Sequence, residues 1–199
     1  RMGEDPLRVG GSGHFASDGT STGAAMKIAP VGLANPGSID GAVRDAITMS
    51  LPTHGTRPAI AGAAAIAAGV AMALAPGATV ESVVEACLIG AEVVERMELR
   101  GVRIVPGPSI KRRIELAVSI AMRAADLEAA MRELESLIGT GLPTSEAVPT
   151  AIGLFVAAGG DPLRTVVAAA NIGHDTDTIA CMAGALAGAL KGIGCLPKH

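Results

Sequence analysis

The sequence predicts an all-α protein whose helices stack through small residues. Apolar residues recur at helical spacing, as in the segment 39–51, where Ile39, Val43 and Ile47 fall on one face of a helix. Residues that favour helix starts stand directly before several such segments. The only candidate for a β-strand is the segment 102–105, and it is short.

The first half of the chain changes from loop to helix. Residues 1–25 contain six glycines and show no helical period, so we expect a loop there. Helical patterning begins near Gly23 and continues through the segment 39–51, which "LPTHGTRP" ends. The run 59–75 then holds 17 residues without a charge, bounded by prolines. A membrane-spanning helix needs about 20 residues, and Ala and Gly partition weakly into lipid. We therefore interpret this run as a buried helix and predict no membrane partner.

The second half divides into helices at residues that suit a helix N-terminus. These side chains accept hydrogen bonds from the free N–H groups of the first turn. The expected caps are Thr79, Ser109, Asp126 and Asp161. Pro162 directly follows the last of them, where proline favours a helix start. A further helix is expected to begin near Ser145, and the final helix is expected to follow residue 175. The sequence thus predicts seven or eight helices in total.

The composition limits what the protein can bind. Hydrophobic residues make up 49% of the 199, but only Phe15 and Phe155 are aromatic, so the core must consist of small and aliphatic side chains. The four-residue spacing of Gly184 and Gly188 predicts a close helix contact. With almost no aromatic residues to stack on bases, and a net charge of −3, we predict no nucleic-acid partner.

The three cysteines give an indication of the cellular compartment. Cys87, Cys181 and Cys195 show no Cys-x-x-Cys spacing, and their odd number favours free thiols in a reducing cytoplasm. We expect them to be buried in the helical core. The predicted localisation is cytoplasmic.

Oxygen ligands are concentrated at the mouth of the last helix, in "NIGHDTDTIACMAGALAGALKG". Asp175, Asp177 and Thr178 offer two carboxylates and a hydroxyl, which suit Mg²⁺, Mn²⁺ or Ca²⁺. The alternative is that they cap the helix. An Asp-x-Asp phosphatase site is disfavoured because it needs a preceding strand, and the residues before Asp175 are Ala-rich and helical.

The stretch "GHDTDTIACMAGALAGALKG" resembles the C-terminal signature of the ADP-ribosylglycohydrolase family. Segments 19–34, 52–71 and 139–162 resemble three further motifs of that family, in the same order. The resemblance implies the family's all-α fold, a compact orthogonal bundle of many helices, with two Mg²⁺ or Mn²⁺ ions at its centre. It also implies hydrolysis of the glycosidic bond at C1″ of ADP-ribose conjugates, with arginine, serine, acetate or another group as acceptor.

The resemblance assigns roles to residues of the last motif. Asp175 and Asp177 are the expected catalytic residues, and together with Thr178 they are the expected metal ligands. Asp177 is the expected bridge between the ions. His174 stands where the family often has Gly or Asn, and it is either a ligand contact or an exposed loop residue.

Further expectations concern the ligand. The backbone N–H groups of Thr22, Gly23 and Ala24 are expected to cradle a diphosphate, the alternative being an ordinary glycine-rich turn. His54 is expected to line the cleft. Asp18 and Ser21 are further candidates for the ligand loop.

One family motif is missing from the sequence. The resemblance leads us to expect a second metal motif of the Thr-Asp-Asp-Thr type, and none is found. We therefore expect residues 1–199 to form one all-α domain, the C-terminal part of a longer ADP-ribosylglycohydrolase, and an N-terminal segment as a separate chain is a possible partner. The expected substrate is an ADP-ribosylated protein or a small ADP-ribose conjugate. The alternatives are a small ribosyl compound as substrate and a non-catalytic, crystallin-like structural protein.

Overall fold

Residues 19–195, the part of the chain that this computed structural model describes, contain nine α-helices and a short 3₁₀ turn. In chain order they are α1 Ala29–Ala34, α2 Ile39–Ser50, α3 Arg57–Ala73, α4 Val80–Arg96, α5 Ile110–Arg123, α6 Leu127–Leu137, α7 Thr144–Ala157, α8 Pro162–Asn171, α9 Thr176–Lys191 and the 3₁₀ turn Ile193–Cys195. Within this range the β-pairing is limited to two isolated bridges, Ser21 with Pro143 and Thr56 with Arg103. The all-α prediction is confirmed.

Helix α3 forms the centre of the molecule. Fourteen of its 17 residues are buried, and α1, α2, α4, α7 and α9 all pack against it. Small side chains make this possible. A Cβ atom on Gly90 of α4 would lie 2.5 Å from the carbonyl oxygen of Ala64, so the two backbones are in direct contact. The interpretation of this apolar run as a buried helix is therefore confirmed.

The predicted helix starts are confirmed where a cap was named. The side chains of Thr79, Ser109, Asp126 and Asp161 each accept a hydrogen bond from the backbone N–H three residues further on. Thr79 and Ser82 form a reciprocal capping box. The helix expected near Ser145 begins one residue earlier, and α3 begins two residues earlier than expected. The short helix α1 lies in the region expected to be helical from Gly23 onward, but it was not predicted as a separate helix.

The two glycines of α9 differ in their surroundings. A Cβ on Gly184 would lie 2.9 Å from Val166, whereas a Cβ on Gly188 would meet nothing within 4 Å. The predicted close contact is therefore right for Gly184 and wrong for Gly188. The spacing of the glycines places them on one face of α9, but it does not reveal how far a neighbouring helix covers that face.

The cysteines are free, but only one is buried. Cys87 lies in the core, where desolvation raises the pKa of its thiol to about 12. Cys181 and Cys195 are exposed, so the expectation of buried thiols is wrong for both. Cys181 lies on the solvent-facing side of α9, and Cys195 lies in the 3₁₀ turn that follows this helix.

From residue 19 to residue 195, no helix combines the length and the apolarity that crossing a membrane requires.

Candidate functional site

Asp175 stands at the N-terminus of α9, but its side chain does not cap that helix. Its Oδ1 atom accepts a hydrogen bond from the Thr178 hydroxyl at 2.9 Å, and its Oδ2 atom accepts one from the Thr22 hydroxyl at 3.2 Å. Both oxygens of this half-buried carboxylate are therefore oriented by hydroxyl groups. Capping alone does not account for the conformation of Asp175.

The other two expected ligands, Asp177 and Thr178, lie in the first turn of α9, directly after Asp175. Thr178 is buried, with 4% of its surface exposed. Its hydroxyl donates a hydrogen bond to Asp175, and the oxygen keeps its lone pairs for another partner. Asp177 is exposed in the same turn. The positive end of the helix dipole favours negative charge at this position.

An unusual turn leads into α9. Gly173 has a φ of +100°, and His174 has a φ of +54°, which makes it the one non-glycine residue with a positive φ between residues 19 and 195. A non-glycine residue in this region costs on the order of 1 kcal/mol, and such strain is concentrated at functional sites. The His174 side chain is exposed, and its expected ligand contact stays a prediction.

The segment before α1 contributes through a side chain rather than through the expected backbone amide. The Thr22 N–H donates to the carbonyl of Leu142 at 3.0 Å, so it is not available to a diphosphate. That expectation is wrong for Thr22, because a neighbouring loop has taken up the amide. The hydroxyl of the same residue reaches Asp175 instead. The expectation for the amides of Gly23 and Ala24 stays a prediction.

His54 lies against this segment from the other side. Its Nε2 atom is within 3.2 Å of the Ser21 hydroxyl, and its Nδ1 atom is within 2.9 Å of the Thr53 hydroxyl, to which Lys27 also donates. A Cβ on Gly23 would lie 2.5 Å from Nε2, so a side chain at position 23 would displace the ring. Burial, and then the nearby charge of Lys27, lower the pKa of His54 below its usual 6.5.

The loop 139–143 was not assigned a structural role from the sequence. Its Thr140 carbonyl accepts the Asp175 N–H at 3.0 Å, and its Leu142 carbonyl accepts the Thr22 N–H. The Thr140 hydroxyl is buried, with no hydrogen-bond partner among the described residues. The motif in 139–162 indicated that the loop matters, but not that it joins two parts of the site. Asp18 lies outside the described residues.

The donor set suits a hard divalent cation. Two carboxylates and a hydroxyl are oxygen ligands, and Mg²⁺ is commonly bound through one or two carboxylates, with water and substrate completing its shell. In the described part of the chain, no group of three or more His, Cys, Asp or Glu side chains lies together as a ligand set. Asp175, Asp177 and Thr178 would therefore supply only part of a metal site.

Comparison with known proteins identifies the class. A model of the family described as ADP-ribosylglycohydrolase matches residues 2–199, and the chain belongs to this family. It is 34% identical to the uncharacterized protein YegU of Escherichia coli (strain K12) over 184 residues, which is 92% of this chain and 54% of that protein.

Shorter regions are similar to a second group of relatives. The chain is 40% identical over 76 residues to the human ADP-ribosylhydrolase ARH3, and 42% identical over 78 residues to its counterpart in Danio rerio. These matches cover 33% and 34% of this chain and 21% of each relative. The chain thus spans about half the length of YegU, and its match to ARH3 covers about a fifth of that protein.

Proposed function

We propose that this chain forms part of the catalytic centre of an ADP-ribosyl hydrolase that depends on Mg²⁺ or Mn²⁺. The observation that carries the proposal is the Asp175 carboxylate, which hydroxyls hold at the mouth of α9 instead of letting it cap the helix. Membership of the ADP-ribosylglycohydrolase family and the names of the ARH3 relatives support the reaction class.

The metal part of the proposal concerns two ions. Asp175, Asp177 and Thr178 would hold them, with Asp177 as the bridging carboxylate, and ligands from elsewhere would complete the shell. Bound divalent cations polarise water and ribose hydroxyls in reactions of this kind. The exposure of Asp177 leaves its oxygens accessible from solvent.

The protein residues contribute orientation and charge. The Thr22 and Thr178 hydroxyls hold both oxygens of Asp175 in one orientation. In the proposal, this fixed carboxylate accepts a hydrogen bond from the attacking water and so orients it. Cleavage at C1″ develops positive charge on the ribose, which two neighbouring carboxylates stabilise electrostatically. The substrate-binding residues in this proposal are Gly23, Ala24, His54, His174 and Thr22, the last through its side chain.

His54 supplies a neutral polar surface in this arrangement. Since its pKa lies below 6.5, the ring carries little positive charge at neutral pH and can donate or accept a hydrogen bond. In the proposal the substrate is an ADP-ribosylated protein or a small ADP-ribose conjugate in the cytoplasm.

A titration tests the metal part directly. Calorimetry with Mg²⁺ and with Mn²⁺ on the full chain is expected to show binding, and the double variant Asp175→Ala/Asp177→Ala is expected to lose it. Binding that survives in the double variant would place the metal elsewhere and overturn the proposed ligands.

A second measurement tests the reaction. Product analysis is expected to show release of ADP-ribose from ADP-ribosyl-arginine and no release of ribose from simple ribosides. Release from simple ribosides would change the substrate class. A chain that neither binds metal nor turns over either compound would favour a non-catalytic role on the same scaffold.

A further inference from the structure

The loop 139–143 joins two parts of the site that are far apart in sequence. The Thr140 carbonyl accepts the backbone N–H of Asp175, and the Leu142 carbonyl accepts the backbone N–H of Thr22, each at 3.0 Å. An isolated bridge also pairs Ser21 with Pro143. The position of Thr22 relative to Asp175 therefore depends on the shape of this loop, together with the hydrogen bonds that the Thr144 N–H and hydroxyl donate to the Thr20 carbonyl.

One side chain supports the loop from beneath. The Oε2 atom of Glu146 accepts a hydrogen bond from the Gly141 N–H at 3.0 Å. A Cβ on Gly139 would lie 2.5 Å from that oxygen, and a Cβ on Gly141 would lie 2.9 Å from it. The two glycines thus let the loop close around the Glu146 carboxylate, which fills the space inside the turn.

Glu146 is well placed to transmit rigidity to the loop. It lies in the first turn of α7, a helix whose residues from Ala147 to Phe155 are all buried. The loop is also held at its start, where the buried Thr150 hydroxyl donates to the Gly139 carbonyl at 2.8 Å. Between these anchors, the Gly141 N–H has Glu146 as its partner.

We propose that Glu146 is a positioning residue, which fixes the loop so that Thr22 and Asp175 meet in the geometry seen here. Its carboxylate bonds the loop backbone at Gly141, and the loop in turn bonds Thr22 and Asp175. Its consequence for metal and ligand binding rests on the proposed function, whereas its effect on the loop does not.

Amide hydrogen exchange on the full chain, without metal or ligand, tests the structural part. In Glu146→Ala, the protection of the Thr22 and Asp175 amides is expected to fall by at least about tenfold, because both depend on the loop. Glu146→Gln keeps an oxygen acceptor of the same size, so it is expected to keep protection near the wild-type level. Amides within α3 report global unfolding and are expected to change much less.

A matched control removes an acidic side chain with a similar role at another place. Asp126 accepts one backbone N–H, from Ala129, at the start of α6. Asp126→Ala is expected to lower the melting temperature without changing exchange at Thr22 or Asp175. Unchanged protection at both amides in Glu146→Ala would overturn the proposal, and so would a Gln variant as labile as the Ala variant.

Metal titration of the same variants separates this proposal from the proposed function. If wild type binds Mg²⁺, Glu146→Ala is expected to weaken binding by about tenfold or more, with Glu146→Gln near wild type. If wild type binds no Mg²⁺ and hydrolyses nothing, the proposed function fails, and the exchange measurement still decides the role of Glu146. Unaltered Mg²⁺ affinity in Glu146→Ala would overturn its role at the site.

Discussion

The hydroxyl of Thr22 donates a hydrogen bond to the carboxylate of Asp175 at 3.2 Å, across 153 residues of chain. This contact connects the glycine-rich segment before α1 with the first turn of α9. Thr178 of the same turn satisfies only Oδ1 of Asp175, so both carboxylate oxygens have a hydroxyl partner only when the two segments are in place. The candidate site is therefore a product of the tertiary structure.

Asp177 is the clearest target for a loss of activity. Asp177→Ala is expected to reduce ADP-ribosyl hydrolysis of the complete enzyme by on the order of a hundredfold or more, because a carboxylate at the metal would be lost. Its exposure means that the free energy of unfolding should change by less than about 1 kcal/mol. Steady-state kinetics and thermal melting measure the two effects.

The matched control for this variant is Asp40→Ala, which also removes an exposed carboxylate from the first turn of a helix. It is expected to leave turnover unchanged. Wild-type turnover in Asp177→Ala would remove the metal mechanism as proposed.

Thr22→Val tests the contact between the two motifs. The change preserves shape but removes the hydroxyl that orients Oδ2 of Asp175, a bond to a charged group worth about 1.5–3 kcal/mol. We expect a lower melting temperature together with weaker Mn²⁺ binding, measured by calorimetry.

Thr165→Val provides the comparison, because this buried hydroxyl bonds the Asp161 carbonyl within α8 and takes no part in the site. It is expected to cost about 1 kcal/mol of stability and to leave Mn²⁺ affinity unchanged. Equal effects of the two variants on Mn²⁺ affinity would contradict a specific role for Thr22.

The stability of the fold should depend on the protonation of His54. Burial and Lys27 lower its pKa below 6.5, so the unfolded chain binds the proton more tightly than the folded one. The stability contributed by the neutral ring is fully present above pH 6.5 and is lost as the pH falls through the folded-state pKa.

Urea unfolding of wild type and His54→Gln at pH 7.5 and pH 5 measures this dependence. Because the carboxylates titrate in both proteins, the difference between them isolates His54. Wild type is expected to lose more stability than His54→Gln between the two pH values. Equal losses would show that the ring does not titrate with a depressed pKa.

Two glycines should respond oppositely to the same substitution. Gly90→Ala places a methyl group against the backbone of Ala64, and overpacking there is expected to cost about 1–3 kcal/mol. Gly188→Ala meets open space in a helix and is expected to gain about 0.5–1 kcal/mol through helix propensity. Melting temperatures that shift in the same direction for both would contradict the packing described here.

The thiols offer a simple check on burial. Two of the three, Cys181 and Cys195, are expected to react readily with a maleimide in the native protein. Cys87 should react only after unfolding, because it is inaccessible and its pKa of about 12 leaves almost no thiolate at neutral pH. Mass spectrometry counts the labels, and three labels at equal rates would contradict the buried position.

Local patterns in the sequence predict the helices well and the site only in part. The caps at Thr79, Ser109, Asp126 and Asp161 are confirmed because a cap depends on neighbouring residues alone. Helix α1 has only six residues, too few for a periodic signal.

The rest of the site depends on contacts that no local pattern contains. The Thr22 amide was expected to face a diphosphate, yet it bonds the Leu142 carbonyl, 120 residues further along the chain. The role of Glu146 likewise becomes visible only once α7 is packed and the loop closes over it. Sequence motifs therefore predict which chemical groups lie near Asp175. Tertiary packing determines which atoms those groups contact.

The burial of α3 on all sides has a consequence for how this fold tolerates change. Its residues are mostly Ala and Gly, which lose no rotamer entropy on folding, so close packing here carries little side-chain entropic penalty. The same closeness leaves no room for larger side chains, since neighbouring helices meet α3 at backbone distance. Sequence variation should therefore be concentrated in the outer helices, such as α5 and α6, while α3 accepts few replacements beyond other small residues.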